Sequence, residues 1–294
     1  MLKRTLFFGN KASINTRLEQ LVIKTEERET TIPIEDVGFV VIEHPETYIS
    51  ITSLSKLTDN NVAVIFCDQK HMPSSMLLNL NSHHLQQEIF KNQINASAPL
   101  KKQLWQQTVK TKIKHQADLL KKQKRDYKVL EFHESKVLSG DTDNREGAAA
   151  AHYWKNIFDF QFRRERFGDY PNTFLNYGYI ILRAAVARAL CGSGLLCTLG
   201  INHHNKYNAF CLADDVMEPF RPLVDAKVIH IMENYDDHDL TTEIKAELLS
   251  VLTETVYFED TKSPLMVGLS RTASSLQQCF TGSGRKINYP TLWN

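Results

Sequence analysis

Hydrophobic and polar positions follow two regimes along the chain. From Leu2 to about Leu80 the apolar residues come in short runs, Thr5–Phe8, Leu18–Thr25, Thr30–Ile34, Val37–Ile42 and Val62–Cys67, separated by Gly, Asn, Asp and Pro. These runs are rich in β-branched and aromatic residues, which predicts strands. The spacers between them are short and leave little room for crossover helices, so the pattern predicts a mainly antiparallel sheet or sandwich. One short helix near Ile51–Leu57 interrupts it.

After Pro73 the period changes. From His83 onward apolar residues recur every three or four positions, and Gly and Pro become sparse within long segments. Helices are predicted at His83–Asn92, Leu100–Lys124, Tyr127–Val137, Asn144–Ile157, Asn172–Cys191, Asp215–Asn234, Glu243–Val256 and Ser263–Phe280. The chain therefore reads as α+β: a β-rich N-terminal domain over residues 1–76, followed by a larger all-α domain over 83–294, with the boundary in Met72–Ser82.

Composition adds limits. A chain of 294 residues with 42% hydrophobic and 23% charged content buries a full core. The start, Met1 to Gly9, lacks the apolar stretch of a signal peptide, and no later run is read as approaching the ~20 residues of a membrane span. A cytoplasmic protein with no membrane partner is expected. Cys67, Cys191, Cys197, Cys211 and Cys279 are scattered in apolar surroundings with no C-x-x-C pair, so they read as core residues. The net charge of +1 conceals how the charge is distributed.

Between Lys101 and Lys128 nine lysines and Arg125 face only Asp118 and Asp126. Lys110, Lys114, Lys121, Arg125 and Lys128 fall at helical spacing, a stripe suited to neutralising phosphates; a solvated lysine-rich helix or a protein-binding face has the same pattern. A second cluster, Arg163, Arg164 and Arg166, strengthens the DNA reading, because two basic patches in a near-neutral chain mean segregated charge.

The segment from Gly200 to Pro222 is more specific. It sets an asparagine-rich loop with His203 and His204 ahead of Asp214, Asp215 and Glu218. Asp215 and Glu218, three apart, share a helix face, and a histidine folding back over that face would complete a set of oxygen ligands with one imidazole, which suits Mg2+ or Mn2+. The same residues also suit helix capping, with Glu218 paired to Arg221. Pro219 and Pro222 deprive the carbonyls of Asp215 and Glu218 of their helical partners, so a bend is predicted there. Glu146 is the best further acidic ligand; it sits early in a helix followed by the small residues Gly147 to Ala151, although an acidic first turn favoured by the helix dipole is an equal reading.

At these residues the chain resembles a known family. Arg145-Glu146-Gly147-Ala148-Ala149 with Tyr153-Trp154, Leu175-Asn176-Tyr177-Gly178-Tyr179, His203, Leu212 to Pro222 and Arg271 to Leu276 are similar, in order, to motifs of the CRISPR-associated spacer-acquisition integrase/endonuclease, the core adaptation protein. The asparagine-rich loop ending Tyr207-Asn208-Ala209-Phe210 resembles the type II branch, associated with single-protein RNA-guided effectors. The resemblance implies a homodimer formed through the N-terminal domains, and a heterohexamer with a small ferredoxin-like partner protein; the RNA-guided effector nuclease is a further partner. It implies a metal-dependent DNA integrase that joins the 3′-hydroxyls of captured double-stranded fragments to the CRISPR repeat by transesterification. Glu146, His203 and Glu218 would be the catalytic ligands of Mg2+ or Mn2+. Asp215, Asn176 and Tyr177 would support them. His203 is preferred to His204 for its spacing to the acidic motif. A hydrolytic metal-dependent endonuclease and a non-catalytic DNA-binding scaffold are the alternatives.

Overall fold

The computed structural model describes residues 3–79, 81–158, 160–166 and 168–294. Leu2 and Leu80, the expected ends of the β-rich region, lie outside them. Two compact units divide between His84 and Leu85. Strands come first and helices after, the expected α+β order.

In the first unit, β1 (Arg4–Phe8), β5 (Val37–Ile42), β7 (Ala63–Cys67) and β8 (Pro73–Leu77) form one sheet in that order. The second sheet runs β4 (Glu29–Pro33), β3 (Gln20–Lys24), β2 (Ser13–Arg17) and β6 (Tyr48–Ile49). Antiparallel pairing holds for β2–β3, β3–β4 and β7–β8, whereas β1–β5, β5–β7 and β2–β6 are parallel. The parallel pairs need crossovers that short spacers seemed to forbid. Three strands of the second sheet, β2, β3 and β4, make the crossover between β1 and β5, and β6 with α1 (Ile51–Asp59), capped by the Ser50 hydroxyl on the Ser53 N–H, makes the one between β5 and β7. Ile14, Leu21 and Ile32 from one sheet and Val40 and Val64 from the other share a core with Leu57 of α1. The run predicted as one strand over Leu18–Thr25 starts as a two-residue hairpin turn. Leu18 and Glu19 both take positive φ, without the Asn-Gly signature that would have announced it.

The second unit is built around two long helices, α3 (Ala98–Lys122) and α6 (Asn172–Gly192). By length and composition α6 would pass for a membrane span, contrary to the expectation that no run comes close, but 78% of its apolar window is buried within the unit, as in a core helix. Gly178 permits its close approach to α8 (Arg221–Asn234): a Cβ there would stand 2.4 Å from Val224 Cγ1. Around these pack α2 (Gln86–Ile94), α4 (Lys128–Ser135), α5 (Arg145–Asn156), α7 (Cys211–Met217), α9 (Thr242–Leu249) and α10 (Leu265–Thr281). The helix predicted to run on to Val256 stops at Leu249, and Thr255–Tyr257 and Lys262–Pro264 pair as a small hairpin, β9 and β10.

The prolines bend the chain where expected. Between α7 and α8 the residues Glu218–Phe220 form a 3-10 turn, in which the Asp215 carbonyl accepts from the Glu218 N–H and the Glu218 carbonyl from the Arg221 N–H. The tighter i→i+3 bonds thus satisfy the carbonyls that Pro219 and Pro222 cannot serve. His115 of α3 clamps the turn through a 2.6 Å hydrogen bond between Nδ1 and the Pro219 carbonyl oxygen.

Candidate active site

Three elements bring the sequence-predicted residues toward one place. Glu146 is the second residue of α5. That helix start is over-determined: Asp141, buried and in left-handed backbone, accepts the Arg145 and Glu146 N–H groups on its two carboxylate oxygens, and the Asn144 side chain accepts from Gly147 N–H. Glu218 opens the 3-10 turn. Between them stands Lys112 of α3, whose Nζ lies 2.6 Å from Glu146 Oε1 and 2.5 Å from Glu218 Oε2. The two carboxylates therefore share a single cation.

Each charge in this cluster is set by its neighbours. Burial alone disfavours the Lys112 ammonium, but Glu218 and then Glu146 outweigh it and hold its pKa above the ordinary lysine value. Burial likewise disfavours the Glu218 carboxylate, yet Arg221 and Lys112 pull its pKa down to about 2. Arg221 Nε donates to Glu218 Oε1 at 2.8 Å. The pairing weighed as a capping alternative is thus present as part of the cluster. Oε2 of Glu218 differs: it is buried and, despite the ammonium nearby, receives no hydrogen bond of good direction.

His203 stands beside this cluster, close enough for both Glu218 and Glu146 to favour its protonated form. Its Nδ1 is 2.5 Å from Asp215 Oδ1, and this hydrogen bond is the main cause of its raised pKa. Asp215 is fully buried and also accepts from the backbone N–H groups of Ile201, Asn202 and His203. One carboxylate thus orients both the loop and the ring. Gly200 allows the loop to fold so tightly, since a Cβ there would meet the His203 carbonyl oxygen at 2.3 Å and Asp215 Oδ2 at 2.7 Å. Trp105 of α3 meets the imidazole edge-on at 5.7 Å between centroids. His204 is exposed. Asp214 faces elsewhere and accepts from Asn208 Nδ2 at 2.7 Å, which pins the asparagine-rich loop to α7.

Among the described residues no three His, Cys, Asp or Glu side chains close around one point. The donor chemistry nevertheless fits a divalent cation. Two carboxylates already converge on one positive charge, a buried Glu218 oxygen lacks a directional donor, and the imidazole is fixed through one nitrogen by a carboxylate, which leaves Nε2 for a ligand. Asp215 is engaged by the His203 ring and by three loop N–H groups.

The other predicted residues fall outside this cluster. Tyr177 is in the core. Asn176 accepts from Arg164 Nη2 at 2.6 Å and donates to the Arg166 carbonyl oxygen, fastening the arginine loop to α6. Arg164 is half-buried, also donates to Asn172 and lies over the Tyr179 ring, whereas Arg163 and Arg166 are exposed. The lysine stripe is broken, because α3 ends at Lys122, Lys124 is left-handed and Lys128 begins α4. Lys114, Lys121 and Lys128 are exposed, Lys110 is partly buried, and Arg125 donates to the Phe158 carbonyl oxygen. Counting charge hid Lys112 among its neighbours. Its position in line with Trp105 and Thr108, on the buried face of α3, was the available signal.

Comparison with known proteins agrees with this architecture. Residues 6–255 match the family model described as CRISPR associated protein Cas1. The CRISPR-associated endonuclease Cas1 of Neisseria meningitidis serogroup C (strain 8013) is 37% identical over 289 residues, spanning 97% of this chain and 95% of that one. A casposase bound to its integration product superposes with a TM-score of 0.77 at 22% identity, over 98% of this chain and 93% of that one. A Cas6-RT-Cas1–Cas2 complex gives 0.73 at 20% identity, over 99% of this chain and 36% of the other. A chain matched by this model over most of its length, and by a full-length relative, belongs to the CRISPR-associated Cas1 family.

Proposed function

We propose that this chain is a metal-dependent integrase of CRISPR spacer acquisition, joining the 3′-hydroxyls of captured double-stranded DNA fragments to the repeat by transesterification. The carrying observation is the pair of carboxylates, buried Glu218 and partly buried Glu146, converging on one positive charge beside an imidazole fixed by Asp215. Glu146, Glu218 and His203 Nε2 would hold Mg2+ or Mn2+. When bound, such an ion polarises a phosphodiester, favours loss of the attacking hydroxyl's proton and stabilises the leaving oxygen. In the reaction a P–O bond forms between the fragment's 3′-oxygen and the phosphorus at the repeat's 5′ edge as that phosphorus loses its bond to the 3′-oxygen of the flanking nucleotide; the proton lost by the attacking oxygen is balanced by the proton gained by the leaving one. No nucleotide is consumed.

The protein's own contribution is placement. Asp141 fixes the start of α5 and hence Glu146, His115 fixes the turn carrying Glu218, Arg221 holds one Glu218 oxygen so that the other faces inward, and Asp215 fixes the imidazole. Exposed Lys114, Lys121, Lys128, Arg163 and Arg166 would grip the phosphate backbone. The resemblance to a casposase solved with its integration product supports DNA joining, and that to a Cas6-RT-Cas1–Cas2 complex supports a Cas partner protein, which we read as a small ferredoxin-like chain in a heterohexamer. The unit is a homodimer working in the cytoplasm, and the RNA-guided effector nuclease is a further partner.

The test is integration of short duplexes into a repeat-bearing plasmid, with the partner protein present and the fragments' 3′ ends either free or blocked. Products that vanish on blocking support joining. Indifference to blocking would assign hydrolysis, the reaction named by the endonuclease relatives.

A further inference from the structure

Lys112 is unlike the other lysines of its stretch. Its side chain is 11% exposed, it points from the buried face of α3 to the gap between two glutamates, and both contacts are at ion-pair distance. The neighbouring carboxylates need it. Their facing oxygens lie within about 5 Å of each other, one of them buried, and like charges at that separation in a partly dry site repel strongly. Arg221 neutralises only the outer oxygen of Glu218. The inner oxygen, Oε2, has the ammonium as its Coulombic partner but no well-directed hydrogen bond, so the ammonium is held there by charge. Such a place accepts any cation of suitable size.

We infer that Lys112 is an internal placeholder cation: its ammonium occupies the divalent-ion position between Glu146 and Glu218, and the metal enters only by exchange with it. The inference rests on the metal-dependent reading above. Exchange has two physical consequences. The apo site stays neutral enough to remain folded, because the glutamates never face each other uncompensated. Metal affinity is weakened by the free energy of breaking the Lys112 pairs, so the site loads when a further anion, the scissile phosphodiester, adds its own attraction for the ion and for the displaced ammonium. Lys112 is a positioning residue in the metal-free chain, and its flexible four-carbon stem lets the charge withdraw without moving α3.

The test is Mn2+ binding, read calorimetrically and by loss of the free-ion paramagnetic signal, to the intact chain and to Lys112→Met without DNA. Removing the competing ammonium should tighten Mn2+ binding by about tenfold or more, lower the melting temperature in chelator and enlarge the rise in melting temperature that Mn2+ produces. A merely structural lysine would give the lower melting temperature and no gain in affinity. Should Lys112→Met not fold, the unmodified protein carries the test through the acylation rate of Lys112, followed by mass spectrometry. Mn2+ should raise that rate severalfold, and leave it unchanged if the ammonium stays in place. Tight Mn2+ binding with equal or weaker affinity in Lys112→Met overturns the exchange alone. Binding by neither protein overturns the exchange together with the metal site.

Discussion

Glu218 in the 3-10 turn and Asp225 in α8 lie seven residues apart, both carboxylates are buried, and their environments push them in opposite directions. Glu218 is drawn down to about 2 against its burial by Arg221 and Lys112. Asp225 is pushed up to about 6 by burial, which outweighs the lowering pull of Tyr153 and Tyr179, donating to its two oxygens, and of Arg221 and Arg164. Neutral phenols satisfy hydrogen bonds without supplying charge, whereas an ammonium and a guanidinium supply charge. One carboxylate is therefore kept ionised and aimed at a place where a stronger cation can stand. The other ties α5, α6 and α8 together as scaffold.

The largest difference between the two should appear in catalysis. Glu218→Gln keeps the shape of the side chain but removes the charge, and Glu146→Ala removes the other half of the pair; either should lower strand transfer by about 10^3-fold or more while secondary structure and DNA binding persist. Asp225→Asn should retain most activity per folded molecule. Comparable losses in all three variants would erase the distinction between site and scaffold.

Asp225 then sharpens the contrast through pH. Its pKa is raised on folding from 3.8 to about 6, so the folded state binds this proton more tightly than the unfolded state. The stabilisation is complete below pH 4 and is lost as pH rises through about 6, a change of about 3 kcal/mol for this fully buried group. The difference in unfolding free energy between the unmodified chain and Asp225→Asn, measured by urea titration at pH 4 and pH 7, should shift by about that amount. A difference that stays flat would mean that burial does not hold the carboxyl above its ordinary pKa.

Much of this was legible in the sequence, and what was not has physical causes. The helical half announced itself through three- and four-residue periodicity, and the bend at Glu218 through Pro219 and Pro222. The parallel pairs of the first unit were hidden, since β1 meets β5 only after three strands of another sheet have intervened, and no local pattern records such a pairing. The β9–β10 hairpin was absorbed into the helical reading because the strands are only three residues each. In the site, spacing could place Asp215 and Glu218 on one face, but it could not tell ligand from support. That distinction depends on three backbone N–H groups and an imidazole converging on Asp215 from a loop twelve to fourteen residues away. Lys112 was hidden by company: nine lysines read as a surface, and only burial separates the one that faces inward.

Asp215 offers the next test in size. In the proposed site it aims His203 and is not itself a ligand, so Asp215→Asn should cost about 10- to 100-fold in strand transfer, less than loss of either glutamate, as is usual for groups that orient a metal-bound imidazole. Mn2+ affinity should fall by a similar factor, and the loop from Gly200 to His203 should exchange its amide protons faster as the Ile201 and Asn202 N–H groups lose a charged acceptor. A loss as deep as that of Glu218→Gln would move Asp215 into the ligand set.

The smallest effects should separate the two kinds of basic residue. Lys114, Lys121 and Lys128 are exposed at the end of α3 and the start of α4, whereas Arg164 is fastened to Asn172 and Asn176 and lies over Tyr179. Replacing one of the lysines by Ala should weaken duplex binding a fewfold, equally for all sequences, and reduce the slope of log affinity against log salt by about one. Arg164→Ala should leave that slope nearly unchanged and instead cost about 1–2 kcal/mol of stability, because the amide oxygens of buried Asn172 and partly buried Asn176 lose a charged donor. The same division as between Glu218 and Asp225 is then read in cations: a side chain whose partners are all internal holds the fold, and one left facing solvent meets the DNA. Lysine variants that leave the salt slope unchanged would instead assign that face to a protein partner.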